Sequence, residues 1–394
     1  MAKLANTVDA NLELFPILPS SPAVGAESPS IGAPRTGSPL TGIARLAAAS
    51  SPAGEGHGLE VRSLGVRSIL NRSVSRRGLS FTWTINPYRG CEFACRYCYA
   101  RYTHEFMELP PEDFERRIFI KQNAAWLLEQ ELRQVRAHEE IALGTATDPY
   151  QPVERWAKIT QSLLEVLARQ QGLRIGLVTK STLIERDIPL LQRIAKRNTL
   201  VLHLTITTPN AALARLLEPR APRPDLRLRT VARLRQAGLS TGILCSPLLP
   251  GITDSGKALD GMAKRAKNAG ASFFCAQPLF LKPCSKEIYL GFIREHFPAL
   301  EPMYRQRFDD AAFVSRAYRN RIEELVKTVC AKYSLGRRKD ALLTTAVGDT
   351  SWKPSDAQNS SSGRLSFPPS PFTRKGPHSN TTPQSQDLVS CETL

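Results

Sequence analysis

The chain reads as an α/β protein: a partial (β/α)6 TIM-like barrel of parallel strands, with disordered N- and C-terminal arms. Two observations predict this. Apolar runs of strand length alternate with stretches of helical period, and both ends lack any sustained hydrophobic period. Residues 1–58 are rich in Ser, Pro, Ala and Gly, and the same composition returns from Trp352 within residues 337–394. Such segments hold too little apolar surface to offset chain entropy, so both are expected to be disordered. Between them the sequence divides into a lead-in segment (59–80), a core barrel (81–280) and a C-terminal helical extension (281–336).

Strands are expected at 81–85, 117–121, 141–145, 173–179, 199–207, 240–246 and 271–277, with helices in the gaps. A helix over 123–135 carries Trp126, Leu127 and Leu132 on one side, and 159–171 follows the same logic. Asp187-Ile-Pro places Pro189 in a helical first turn, where its missing N–H costs nothing. A helix over 225–236 stops at Gly238, a left-handed cap. Six or so successive βα units put functional residues at the C-terminal ends of the strands.

Composition narrows the function classes. No stretch is apolar enough to span a bilayer, and the N-terminus lacks the basic, apolar and small-residue regions of a secretory signal. Eight unevenly spaced cysteines in 394 residues are few, which favours a cytoplasmic location where thiols stay free to bind metal. The net charge is +17; residues 1–60 carry −2 and 337–394 carry +2, so the folded middle is the basic part. A basic surface attracts polyanions by counterion release, and nucleic acid is the commonest of these. Solubility alone is the other use of such a surface.

The run from Asn86 to Arg101 holds Cys91, Cys95 and Cys98 between a strand and a helix. Three thiolates at this spacing on one loop can hold three irons of a [4Fe-4S] cluster and leave the fourth open. A zinc knuckle closed by His104 is the competing reading, although such sites usually pair ligands as C-x2-C. The C-x3-C-x2-C pattern, with an aromatic before the last Cys, resembles the radical S-adenosylmethionine superfamily over roughly residues 80–280. That resemblance implies that the open iron binds the amino and carboxylate groups of S-adenosylmethionine. One electron from the cluster then cleaves the sulfonium to a 5′-deoxyadenosyl radical, which requires a reductase or a flavodoxin- or ferredoxin-type electron donor.

Within the superfamily the chain is most similar to the spore photoproduct lyase-like branch, also labelled DNA repair photolyase-like. By that resemblance, Thr147 and Asp148 in the segment 144–154 contact the cofactor amino group, and Lys180 holds the methionyl carboxylate. Thr205 offers a hydroxyl near the cofactor, while Gly242 begins the strand that passes alongside the adenine. Tyr97 packs near the adenine, and Tyr97 with Tyr99 matches tyrosines that the lyases use for radical transfer. Read without the family, Asp148-Pro149 is a turn, Lys180 a solvated charge and Thr205 an ordinary strand residue. Lyases also carry a hydrogen-donating Cys where this chain has Thr145, and an O–H cannot replace a weak S–H bond.

Seven arginines, Arg215, Arg220, Arg223, Arg227, Arg229, Arg233 and Arg235, crowd one region opposed by Glu218 and Asp225; they form either a phosphate grip or a solvated face. Cys245, Cys275, Cys284 and Cys330 read as buried apolar fillers, and Cys391 lies in the tail. The leading expectation is a cytoplasmic radical enzyme acting on a substrate that includes nucleic acid as candidate. Its rivals are a radical enzyme acting on a protein or small metabolite, and a non-catalytic metal protein that binds nucleic acid.

Overall fold

The computed structural model describes residues 40–56, 58–73, 81–309 and 311–336. Among them the strands are β1 (Ser51–Gly56), β2 (Leu59–Leu64), β3 (Leu70–Arg72), β4 (Trp83–Ile85), β5 (Tyr88–Arg89), β6 (Arg117–Lys121), β7 (Glu140–Leu143), β8 (Arg174–Thr179), β9 (Thr199–Thr205), β10 (Thr241–Leu248) and β11 (Phe274–Pro278). The larger sheet runs β11-β10-β9-β8-β7-β4-β3, parallel throughout except where β3 meets β4. Ile85, Leu143, Leu177 and Leu202 are paired in sequence across four strands, so those strands end at nearby levels. This is the partial barrel that the alternating pattern predicts.

One expected strand belongs elsewhere. Residues 117–121 do form β6, but it runs parallel to β2 and antiparallel to β5 in a second sheet, ordered β1-β2-β6-β5. An apolar run specifies a strand without specifying its neighbour, and here the partner strands arise from the lead-in and from the segment just after β4. The disordered reading of 1–58 is also corrected for residues 40–56. A helix at Gly42–Ala48 buries Ala44 and Ala47, Ala47 joins Leu64, Met107 and Phe119 in a small core, and β1 pairs with β2. Small residues dock closely there, a pattern that bulk composition does not separate from disorder. The expectations for 1–39 and 337–394 lie outside the described residues.

The helices follow their predicted faces with one exception. Ile159–Arg169 buries Ile159, Leu163, Leu164, Val166 and Leu167. Ile188–Ala195 has Pro189 in its first turn, and Pro224–Gln236 ends where Gly238 turns left-handed and Leu239 N–H donates to Leu234 O at 3.0 Å. The helix Ala124–Glu131 buries Leu127, with Leu132 buried just beyond, whereas Trp126 is 64% exposed. Adjacent helical positions lie about 100° apart, and Trp126 takes the outer side.

After β11 come the helices Pro283–His296, Glu301–Arg307 and Arg316–Tyr333. They are fastened to the loop after β10. Tyr304 Oη donates to Pro250 O at 2.8 Å, Tyr318 Oη donates to Asp254 Oδ2 at 2.6 Å, and Arg321 pairs with Asp254 at 2.9 Å. No helix among the described residues is long and apolar enough to cross a membrane.

Candidate active site at the strand ends

The C-terminal ends of the parallel strands converge on an open cleft. Its wall includes Cys91, Cys95 and Cys98, the Gly144–Asp148 turn after β7, Thr179 and Lys180 at the end of β8, Thr205 of β9, and Ser246 and Pro247 of β10. Gln277 and Pro278 at the end of β11, with Leu279 and Phe280 just after it, complete the wall. Ligands of open α/β sheets bind at this edge, because the strand ends leave a crevice and the loops supply polar groups.

The cysteine loop is clamped from several sides. Cys91 N–H donates to Phe114 O at 2.9 Å, Arg96 N–H to Leu217 O at 2.9 Å, and Arg220 N–H to Phe93 O at 3.4 Å. Gln151 is the central tie: its Nε2 donates to Gly90 O and to Thr147 Oγ1, while its Oε1 accepts from Glu92 N–H at 2.9 Å. The turn after β7 is thereby locked to the loop. Gly144 enables that turn, since its φ is +92° and a Cβ would meet Val178 O at 2.5 Å.

All three thiols are free of disulfides, and all face the cleft. Burial pushes the Cys95 thiol up to about 12 and raises Cys91 and Cys98 as well; Lys180 opposes the shift at Cys95 and Arg101 at Cys98. Such thiols become thiolates only when a cation takes the charge, which is what a metal does. Among the described residues no three His, Cys, Asp or Glu side chains gather as a single-ion site. Three thiols on one loop and one cavity wall match the three protein ligands of a cluster that leaves one iron open. His104 does not line the cleft with the three cysteines. Its Nε2 lies 3.0 Å from Arg117 O, its ring packs edge-on to Phe114 and Phe119, and burial pushes it down to about 4.

The predicted cofactor residues mostly converge. Asp148 accepts hydrogen bonds from Thr179 Oγ1 (2.6 Å), Lys180 N–H (2.7 Å) and Tyr150 N–H (3.0 Å). A carboxylate has about four acceptor positions, so one remains for an ammonium. Thr147 lines the cleft, with its hydroxyl donated to Gly90 O at 2.6 Å. Lys180 Nζ lies 5.8 Å from the Tyr97 ring centroid and 3.9 Å from Glu218 Oε1. Tyr97 donates its hydroxyl to Glu218, and Tyr99 donates to Thr145 O. Thr145 itself lines the cleft and accepts from Asn86 Nδ2 at 3.2 Å.

Sequence reasoning missed Glu218. This carboxylate is fully buried behind Tyr97 and Lys180, accepts from Thr207 Oγ1 at 2.9 Å, and pairs with the equally buried Arg227 at 2.6 Å. Burial alone would raise it, but Arg227, Lys180 and the Tyr97 hydroxyl hold it down to about 2. The available signal was a glutamate set among arginines.

Other expectations fail on geometry. Gly242 does not line the cleft; a Cβ there would fall 2.4–2.5 Å from the Phe273 ring, so the glycine serves ring packing within the sheet. The arginine run is not one patch. Arg227 is buried on Glu218, Arg223 pairs with Asp225, Arg233 with Glu185, and Arg235 binds the carbonyls of Gly270 and Leu239. Cys245, Cys284 and Cys330 are buried as expected, Cys275 is half-buried, and each sulfur faces a different carbonyl. Cys391 lies outside the described residues.

A sequence profile of the Radical SAM superfamily matches residues 85–260. Uncharacterized proteins of Mycobacterium bovis and Mycobacterium tuberculosis are 34% identical over 259 residues, spanning 65% of this chain and 76% of each relative. The chain belongs to the radical S-adenosylmethionine superfamily. An uncharacterized protein of Methanocaldococcus jannaschii is 26% identical over 250 residues, 64% of this chain and 86% of the relative. Among solved structures, a spore photoproduct lyase variant aligns with a TM-score of 0.50 at 14% identity, covering 69% of this chain and 79% of that one, a likeness of fold. As a radical S-adenosylmethionine enzyme the protein uses a [4Fe-4S] cluster, S-adenosylmethionine and an electron donor. The buried free thiols, the spare acceptor position on Asp148 and the ammonium of Lys180 fit that pair of cofactors. The non-catalytic reading is set aside by family membership.

Proposed function

We propose that Cys91, Cys95 and Cys98 hold the cluster, that Asp148 and Thr147 receive the amino group of S-adenosylmethionine, and that Lys180 receives its carboxylate. The juxtaposition of three thiols, one carboxylate and one ammonium on a single cleft supports this reading. When bound, the cluster supplies the electron that cleaves the sulfonium to a 5′-deoxyadenosyl radical. The chain's own residues hold the cofactor and exclude water. Tyr97 and Tyr99 line the same wall with their hydroxyls already donated, Tyr97 to a carboxylate and Tyr99 to a carbonyl.

The substrate loses a hydrogen atom to this radical, and the basic middle of the chain supports nucleic acid as its class. The internal use of the arginines favours a second reading, in which a protein or small metabolite is the substrate. Thr145 in place of a thiol argues against a dimer-repair cycle with its own hydrogen return. Anaerobic reconstitution tests the chemistry: brown protein should form 5′-deoxyadenosine from S-adenosylmethionine and dithionite, and Cys95→Ala should lose both colour and product. Product formation undiminished in Cys95→Ala would overturn the assignment. DNA or RNA that raises deoxyadenosine output would support the first substrate class, and no response would favour the second.

A further inference from the structure

The outer side of the cysteine loop is built differently from its cleft side. Arg96, between Cys95 and Cys98, is exposed and does not line the cleft. Its N–H is bonded to Leu217 O, and Phe93 O of the same loop accepts from Arg220 N–H, so the loop and the 217–220 segment form one surface. Arg215 and Arg220 are exposed there too, and their guanidiniums bind the carbonyls of Pro219 (2.5 Å) and Glu115 (3.3 Å) rather than carboxylates. Exposed Arg155 and Arg220 both act on the half-buried Glu92, whose carboxylate accepts from Val153 N–H. The neighbouring Glu115 carboxylate is taken inward by the buried Arg101.

We infer that this arginine face, Arg96 with Arg155, Arg215 and Arg220, is where an acidic one-electron carrier protein docks to reduce the cluster. The reaction needs one electron per cleavage, and exposed Arg96 sits on the cysteine loop itself, between Cys95 and Cys98. Transfer requires approach rather than tight binding: one electron leaves the reduced carrier, one arrives at the cluster, and no atom moves. Charge complementarity raises the encounter rate of such short-lived complexes and makes it salt-dependent. Nucleic acid is the other polyanion that could use the face. The carrier is favoured because Arg96, Arg215 and Arg220 lie outside the cleft in which a substrate must meet the radical.

The test uses the reconstituted full chain and a reduced acidic flavodoxin, with dithionite as the small reductant. Stopped-flow bleaching of the cluster should slow about tenfold or more in Arg96→Glu/Arg220→Glu at low salt, and the wild-type salt dependence should flatten. Dithionite reduction and iron content should stay unchanged. Should Arg96→Glu disturb cluster loading, Arg215→Glu/Arg220→Glu carries the same expectation from outside the loop. Flavodoxin-driven rates equal to wild type, a wild-type rate indifferent to salt, or loss of nucleic-acid binding alone would overturn the inference. A protein that dithionite cannot reduce would instead indict the cluster assignment.

Discussion

Glu218→Gln is the sharpest probe of the cleft, because Glu218 and Arg227 are each about 1% exposed and 2.6 Å apart. Removing the anion leaves Arg227 with the carbonyls of Thr205 (3.0 Å) and Pro222 (2.7 Å) and no counter-charge. Breaking a buried pair from one side costs about 3–5 kcal/mol. The lowered carboxyl pKa points the same way: a fall from 4.5 to about 2 corresponds to about 3 kcal/mol. Because the folded value lies below the ordinary one, this stability is fully present above pH 4.5 and is lost as pH falls towards 2. Arg227→Met should cost less, since Glu218 keeps Tyr97, Thr207 and Lys180. The double variant should recover part of the loss, with a coupling of about 2 kcal/mol. Anaerobic urea unfolding followed by circular dichroism at pH 7 and at acid pH measures these differences. A Gln variant within about 0.5 kcal/mol of wild type at pH 7, or a deficit that fails to shrink in acid, would refute the reasoning.

Three further outcomes can be checked directly. Lys180→Ala should keep the brown colour but weaken S-adenosylmethionine binding about tenfold or more in equilibrium titration, the worth of a charge-assisted hydrogen bond. Gly242→Ala should lower stability by about 1–3 kcal/mol through overlap with Phe273, leaving cofactor affinity near wild type because the residue is not in the cleft. Gln151→Ala removes the tie between the β7 turn and the cysteine loop, so iron retention during desalting should fall while the far-ultraviolet spectrum is kept.

The parallel strands are legible because their apolar runs alternate with helical period, and that pattern alone places Cys91, Asp148, Lys180 and Thr205 at one edge. What stayed hidden depends on partners distant in sequence. β6 reads like any other βα strand until β2 and β5 claim it. Gly242 resembles a ligand-facing glycine until Phe273 fills the space beside it. Glu218 looks like one acid diluting an arginine run, and its role arises only when the chain brings Tyr97, Lys180 and Arg227 around it. Periodicity reports which way a side chain faces; it does not report what it meets.

Phe280 closes one side of the cleft and is itself stacked on Phe313 at 5.4 Å, while Leu281 N–H donates to Ala312 O at 2.8 Å. The segment before the last helix therefore buttresses the reaction chamber from outside the strand array. A chain trimmed just past β11 would keep Cys91, Cys95, Cys98 and Lys180 yet lose Leu279, Phe280 and that backing. Its expected signature is uncoupling: deoxyadenosine would accumulate without matching product, as a radical born in a leaky vessel is quenched by solvent.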